Sequence, residues 1–209
     1  MTRQFSISVL TCAMVLGLVA TSPARATAQD SSASLTLASA TVSLAGTSNI
    51  HEFTAATTEV RVTRVALANG ASGAALLAAV LNPGAVEAFD IAIRTTSLAS
   101  PKEGIDKNMH KALKAAEFKD IAFRLLRLEA KPVLRAIGLL KIAGVEREIA
   151  IDLKTAATAT ALTITGDVPL LMTDYGIAPP KAMLGMLKTD PKIIVTFEVV
   201  LAAPGTLTR

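Results

Sequence analysis

Reactive side chains are scarce in this chain. Its 209 residues include one cysteine, two histidines, one tyrosine and no tryptophan. A lone cysteine, Cys12, cannot form a disulfide within the chain. The two histidines, His51 and His110, stand 59 positions apart, too few ligands for a standard zinc or copper site without several carboxylates. His51 is followed by Glu52, but strand alternation points neighbouring side chains to opposite faces. There is no G-x-S-x-G elbow, phosphate cradle or dinucleotide fingerprint. Aromatic residues are only 3% of the chain, which leaves little to stack on sugars or on single-stranded nucleic acid. The expectation is a protein that is not an enzyme and that uses no cofactor, no metal and no nucleic-acid partner.

Charge is sparse too, at 18% of residues, while apolar residues make up 51%. That balance excludes a disordered chain and allows a sizeable core. The formal net charge is +4. Part of it lies in the first residues. Arg3 opens the chain, an apolar run follows from Phe5 to about Ala20, and then come Pro23, "ARA" at 24–26 and "ATA" at 26–28. This is the basic, apolar and small-residue pattern of a secretory signal peptide. The run is shorter than the roughly 20 residues a spanning helix needs. Residues 1–28 are therefore expected to be a signal peptide cleaved near Ala26–Ala28, and residues 29–209 a single domain. The location is expected to be periplasmic or secreted. Losing Arg3 and Arg25 from 21 basic residues leaves 19 against 17 acids, too small an excess to suggest nucleic acid. Cys12 goes with the signal, so the mature chain has no thiol.

Alternation fills the rest. Residues 33–46 carry Leu35, Leu37, Val42 and Leu44 at spacing two, and residues 52–68 are rich in Thr and Val. Residues 85–99 set Phe89, Ile91 and Ile93 against Asp90 and Arg94. Residues 121–130 and 133–144 follow. Residues 147–155, 161–171 and 192–202 alternate in the same way around Ile149 and Ile151, Leu162 and Ile164, and Val195 and Phe197. Period-two patterning with β-branched enrichment predicts strands with one buried face. The count is about eight, joined by short turns at 129–132 and 143–147, so the strands are antiparallel. The fold class is all-β: an eight-stranded antiparallel β-barrel with one or two short helices beside it. Such a barrel holds a small apolar ligand or is filled by its own side chains.

Two stretches change period. In residues 104–118, Ile105, Met109, Leu113 and Ala116 recur at helical spacing, with Lys107, Lys111 and Lys114 opposite. Residues 179–190 begin with Pro179 and Pro180, which suit a helix start, and Met183 and Met186 lie on its apolar face. Residues 67–84 are a long loop or a short Ala-rich helix.

Four segments occur in order: "GTSNIHEFTA" (46–55), "TTSLASPKEGIDKNMHKALKAAEFKDIAFRL" (95–125), "GLLKIAGVEREIAIDL" (138–153) and "TDYGIAPPKAMLGMLKTDPKIIVTFEVVL" (173–201). Together they resemble the YceI-like family of exported bacterial proteins. The resemblance implies a lipocalin-like, eight-stranded barrel with a helix beside it. It also implies a long isoprenoid ligand, such as a polyprenyl phosphate or a quinone tail. Phe118-Lys119 stands where the family usually has Tyr-Pro, and Phe53 where it often has Trp, so the chain is similar to a divergent branch.

On that resemblance the tunnel wall is Phe89, Ile91, Ile93, Ile149, Ile151, Leu162, Ile164, Val195 and Phe197. Apolar transfer at about 25 cal/mol per Å² suffices to hold a prenyl chain with few polar contacts. The matched positions offer His51, Asp174 and Tyr175 for a head group. His51 has a structural alternative, a hydrogen bond across strands to the "TDYG" segment. Met183 and Met186 form an adaptable lid or ordinary packing. His110 is expected to be solvated. The leading function is a periplasmic carrier or sequestering protein for an isoprenoid-type lipid. The alternative is a stress-response or interaction module with a self-filled barrel. Family members can pair as homodimers, which an exposed strand edge would permit here.

Overall fold

The computed structural model describes residues 36–68, 74–182 and 186–202. The expected signal peptide, with Cys12, and the lid residue Met183 lie outside them. The chain runs β1 (Thr36–Ser48), β2 (Glu52–Thr57), β3 (Val60–Leu67), α1 (Ala74–Ala79), β4 (Val86–Arg94), α2 (Glu103–Ala112), β5 (Asp120–Glu129) and β6 (Arg135–Ile142). It continues through β7 (Val145–Asp152), β8 (Lys154–Ala157), β9 (Ala161–Leu171), β10 (Lys181–Ala182) and β11 (Leu187–Ala202). Every ladder is antiparallel.

The all-β expectation holds, but the closed eight-stranded barrel does not form. Among the described residues eleven strands build two sheets, ordered β2-β1-β11-β9-β8 with β10 on β11, and β3-β4-β5-β6-β7. Among the described residues no ladder joins them. The physical reason lies at two corners, each inside a segment that reads as one strand. Residues 52–68 break at Thr58 and Glu59, so β2 pairs with β1 while β3 pairs with β4. Thr57 Oγ1 fixes this corner by accepting from Glu59 N at 3.0 Å and sharing a hydrogen bond with Ser97 Oγ at 2.8 Å. Residues 147–155 break at Leu153, so β7 pairs with β6 and β8 with β9. There Leu153 N donates to Leu134 O at 2.8 Å. Alternation runs unbroken through the Leu153 corner, which the sequence therefore hides; at Thr58 and Glu59 the inward set slips by one residue, from Phe53, Ala55 and Thr57 to Val60, inside a run rich in Thr and Val.

The 143–147 turn is as tight as predicted. Ala143 and Gly144 both have positive φ, 48° and 85°. Two left-handed residues in a two-residue loop match the right-handed twist of the flanking strands. The predicted helix at 104–118 forms as α2 and stops early, because Lys114 turns left-handed at φ 52°. The helix expected in 179–190 does not form. Residues 187–190 belong to β11, and Lys181 and Ala182 pair with Lys188 and Leu187. Cross-strand pairing of the longest strand wins over the local signal of two prolines. In the open stretch 67–84, α1 is helical.

Candidate functional site

A cavity of about 560 Å³ lies between the two sheets. Protein interiors are normally packed with few voids larger than a water molecule. The interior is not filled by its own side chains, as the interaction-module alternative required. Inward residues such as Phe89, Ile149, Ile164, Val195 and Phe197 are half-buried because they border this space.

Both sheets supply the wall. Phe89, Ile91 and Ile93 come from β4, Ile149 and Ile151 from β7, Ile164 from β9, and Val195 and Phe197 from β11; all border the cavity. Leu162 does not. It is fully buried, packed with Leu76, Leu77, Val80 and Leu201. It seals one end beneath α1 rather than lining the tunnel. The correction has a simple cause: alternation places a residue on the inner face but not at a height along it.

The wall expected from the sequence left out β1, β2, β3, β5, β6 and α2, all of which border the cavity. Val42, Leu44, Phe53, Phe123, Leu140 and Ile142 also line the cavity. On β5, Ile121, Phe123 and Leu125 alternate, then a register shift between Leu125 and Arg127 returns Leu128 to the inner face and leaves Leu126 outside, 45% exposed. That bulge breaks the pattern that would have revealed the strand's inner face. Ile105, Met109, Ala112 and Leu113 of the α2 segment border the cavity as well. Their helical stripe was legible, but its partner was not. The rings rest on glycines. A Cβ on Gly46 would collide with the ring of Phe53, its direct cross-strand partner.

The far end, beneath α2, is open and carries the polar groups. Ser48, His51, Lys102, Asn108, Lys181 and Thr189 border the cavity there, and none is buried. Among the described residues no aspartate or glutamate borders the cavity, and the two lysines are the charged residues that do. Among the described residues no three His, Cys, Asp or Glu side chains gather as metal ligands.

His51 sits at this rim, in the turn joining β1 and β2. Ser48 N donates to His51 O at 2.9 Å, Ser48 Oγ also donates to His51 O at 2.8 Å, and His51 N donates to Ser48 Oγ at 3.1 Å. Nδ1 of His51 is 3.2 Å from the same hydroxyl. The ring thus bonds within its own turn, not to the "TDYG" segment. Tyr175 borders the cavity and is buried. Burial pushes its phenol above its ordinary value, the charge of Asp174 adds to this, and Arg147 opposes it. Asp174 does not border the cavity; it is exposed, and its carbonyl accepts from Arg147 Nε at 3.1 Å. It is therefore misplaced as a head-group contact. Met186 is 65% exposed and is not part of the lining. His110 is half-buried rather than solvated, and its Nε2 bonds Leu98 O at 2.8 Å, tying α2 to the preceding loop.

The fold class is a two-sheet β-protein around a largely apolar cavity. The sequence matches the YceI-like domain over residues 18–201, and the chain belongs to that family. Among solved structures it is similar to BcnA of Burkholderia cenocepacia, with 11% identity and a TM-score of 0.60 over 77% of this chain and 95% of that one. It is also similar to a polyisoprenoid binding domain from Saccharophagus degradans implicated in plant cell wall breakdown. There the identity is 13% and the TM-score 0.57, over 82% of this chain and 99% of that one. A Campylobacter jejuni YceI protein follows, at 15% identity and a TM-score of 0.50 over 69% and 84%. At these identities the likeness concerns the fold. No curated protein sequence matches the chain.

Proposed function

We propose that this protein holds a long apolar lipid of isoprenoid type in the cavity between its sheets. It acts by binding rather than by catalysis, as a carrier or a sequestering protein. It works in the periplasm or outside the cell, after cleavage near Ala26–Ala28. The observation that carries this reading is the cavity itself: about 560 Å³, walled by aliphatic and phenylalanine side chains, with polar groups gathered at one end. That arrangement suits a ligand with a long greasy body and a small polar head. Each CH₂ moved from water into such a wall contributes about 0.8 kcal/mol, so a prenyl chain needs few polar contacts. Membership in the YceI-like family supports the reading, as does the polyisoprenoid binding named for the Saccharophagus relative. His51 and Tyr175 remain the head-group candidates, His51 at the open rim and Tyr175 in the wall.

The test is to purify the chain natively, extract it with organic solvent under denaturing conditions, and analyse the extract by mass spectrometry. A prenyl-chain lipid near one per protein is expected. An extract free of lipid, from protein whose thermal midpoint is also unmoved by added prenyl alcohol, would sink the reading.

A further inference from the structure

Among the described residues, the two most exposed large apolar side chains stand together. Ile50, 59% exposed, forms the tip of the β1–β2 turn, and Met186, 65% exposed, stands just before β11. A single side chain joins these tips. Asn49 Nδ2 donates to Met186 O at 2.8 Å, and Lys188 N donates to Asn49 Oδ1 at 2.8 Å. Asn49 N also donates to Lys188 O at 3.1 Å. Three hydrogen bonds therefore hold two bare apolar side chains as one bracket. Their chain neighbours Ser48, His51 and Leu187 border the open end of the cavity.

Lysine charge predominates beside the bracket. Lys181 and Lys188 are direct cross-strand partners, and both are exposed. Like charges in that position repel, and among the described residues neither lysine has an ion-pair partner within 4.0 Å. Asp190 lies on the same face of β11, but its carboxylate accepts from Lys192 N. Lys102 stands elsewhere on the same rim.

We propose that the open end of the cavity is a docking face for an anionic lipid bilayer, with Ile50 and Met186 entering the interface and Lys181, Lys188 and Lys102 meeting lipid phosphates. An anionic surface relieves the unpaired repulsion, and apolar tips flanked by lysines suit a headgroup boundary. The inference rests on the lipid-holding reading for its purpose: a prenyl chain passes from bilayer to cavity without crossing water. The contact is peripheral, since among the described residues no helix is long and apolar enough to cross a membrane.

Co-flotation of the full chain with phosphatidylcholine vesicles, with and without phosphatidylglycerol, tests the proposal. Wild type and variants share the same N-terminal segment, so its contribution cancels. Wild type is expected to bind anionic vesicles roughly tenfold more tightly, less so in high salt. The double variant Ile50→Asp with Met186→Asp is expected to lose most binding, and Lys181→Glu with Lys188→Glu to lose the anionic preference, each with an unchanged thermal midpoint. Equal binding to both vesicle types, or variants that bind like wild type, overturns the proposal. So does a dimer that the apolar double variant dissolves while vesicles stay unbound, which would assign the face to a second copy. Retention of a prenyl alcohol in detergent without vesicle binding defeats the docking face and leaves the lipid-holding reading intact. Vesicle binding without lipid retention does the reverse.

Discussion

At the α1 end of the cavity, Leu77 and Leu162 are 1% and 0% exposed and pack against Leu76, Val80 and Leu201. At the α2 end, His51, Lys102, Asn108 and Lys181 border the same space and all are exposed. Both ends carry buried packing. Beneath α1 it is aliphatic and closes the cavity. Beside α2, Ile142, Ala143, Leu170, Tyr175 and Ile177 form a second core, with Ala112 and Leu113 packed against it. Only the α2 end also has exposed polar side chains on the cavity border, and there it keeps an entrance.

If the packed seal and the cavity wall differ in this way, removing bulk from the seal and adding bulk to the wall should have different costs. Leu77→Ala removes a fully buried side chain from the seal and is expected to cost about 2–5 kcal/mol in denaturant unfolding. Ile151→Trp adds bulk beside an empty space. Its cost should fall near the low end of the roughly 1–3 kcal/mol seen for overpacking, while prenyl binding drops at least about tenfold because the ring fills the tunnel. A cost at 151 equal to that at 77 would show a packed core where the cavity lies.

His51→Ala removes one exposed side-chain contact at the rim, since the turn's main-chain bonds to Ser48 survive. Its cost is expected to stay below about 1 kcal/mol, with prenyl binding retained in calorimetry. The smallest effect belongs to the outer surface. The Arg135 guanidinium, 2.6 Å from Asp152, holds the Asp152 carboxyl below its ordinary value. A depressed carboxylate stabilises above the ordinary carboxylate range and loses that effect as pH falls through its folded value. The pair is exposed to solvent, which screens it. Asp152→Asn should barely move the thermal midpoint at neutral pH, and should slightly flatten its fall on acidification.

Much of this molecule could be read from one sequence. Period two located the long segments and the inner faces of β4, β7, β9 and β11, because one wet and one dry face force alternation. The lysine-flanked stripe around Met109 located α2. The corner at Leu153 was invisible, since a chain can leave one sheet for another without changing which side faces inward, and the one-residue slip at Thr58 and Glu59 was masked by a run rich in Thr and Val. Leu126 hid the bulge in β5. Leu162 was placed on the correct face but at the wrong height, and Asp174 was chosen by position in a motif although its carboxylate is exposed to solvent. Asn49 shows most clearly what a pattern cannot supply. Its two side-chain bonds reach residues 186 and 188, far along the chain, and only the fold brings them together.

The central claim is that the space between the sheets holds a prenyl chain. Calorimetric titration of the purified chain with a long prenyl alcohol in dilute detergent, repeated at several temperatures, addresses it directly. The account predicts saturable binding near one per chain with a negative heat-capacity change, the mark of apolar surface leaving water. Heats that never saturate, or saturable binding with no heat-capacity change, would contradict it.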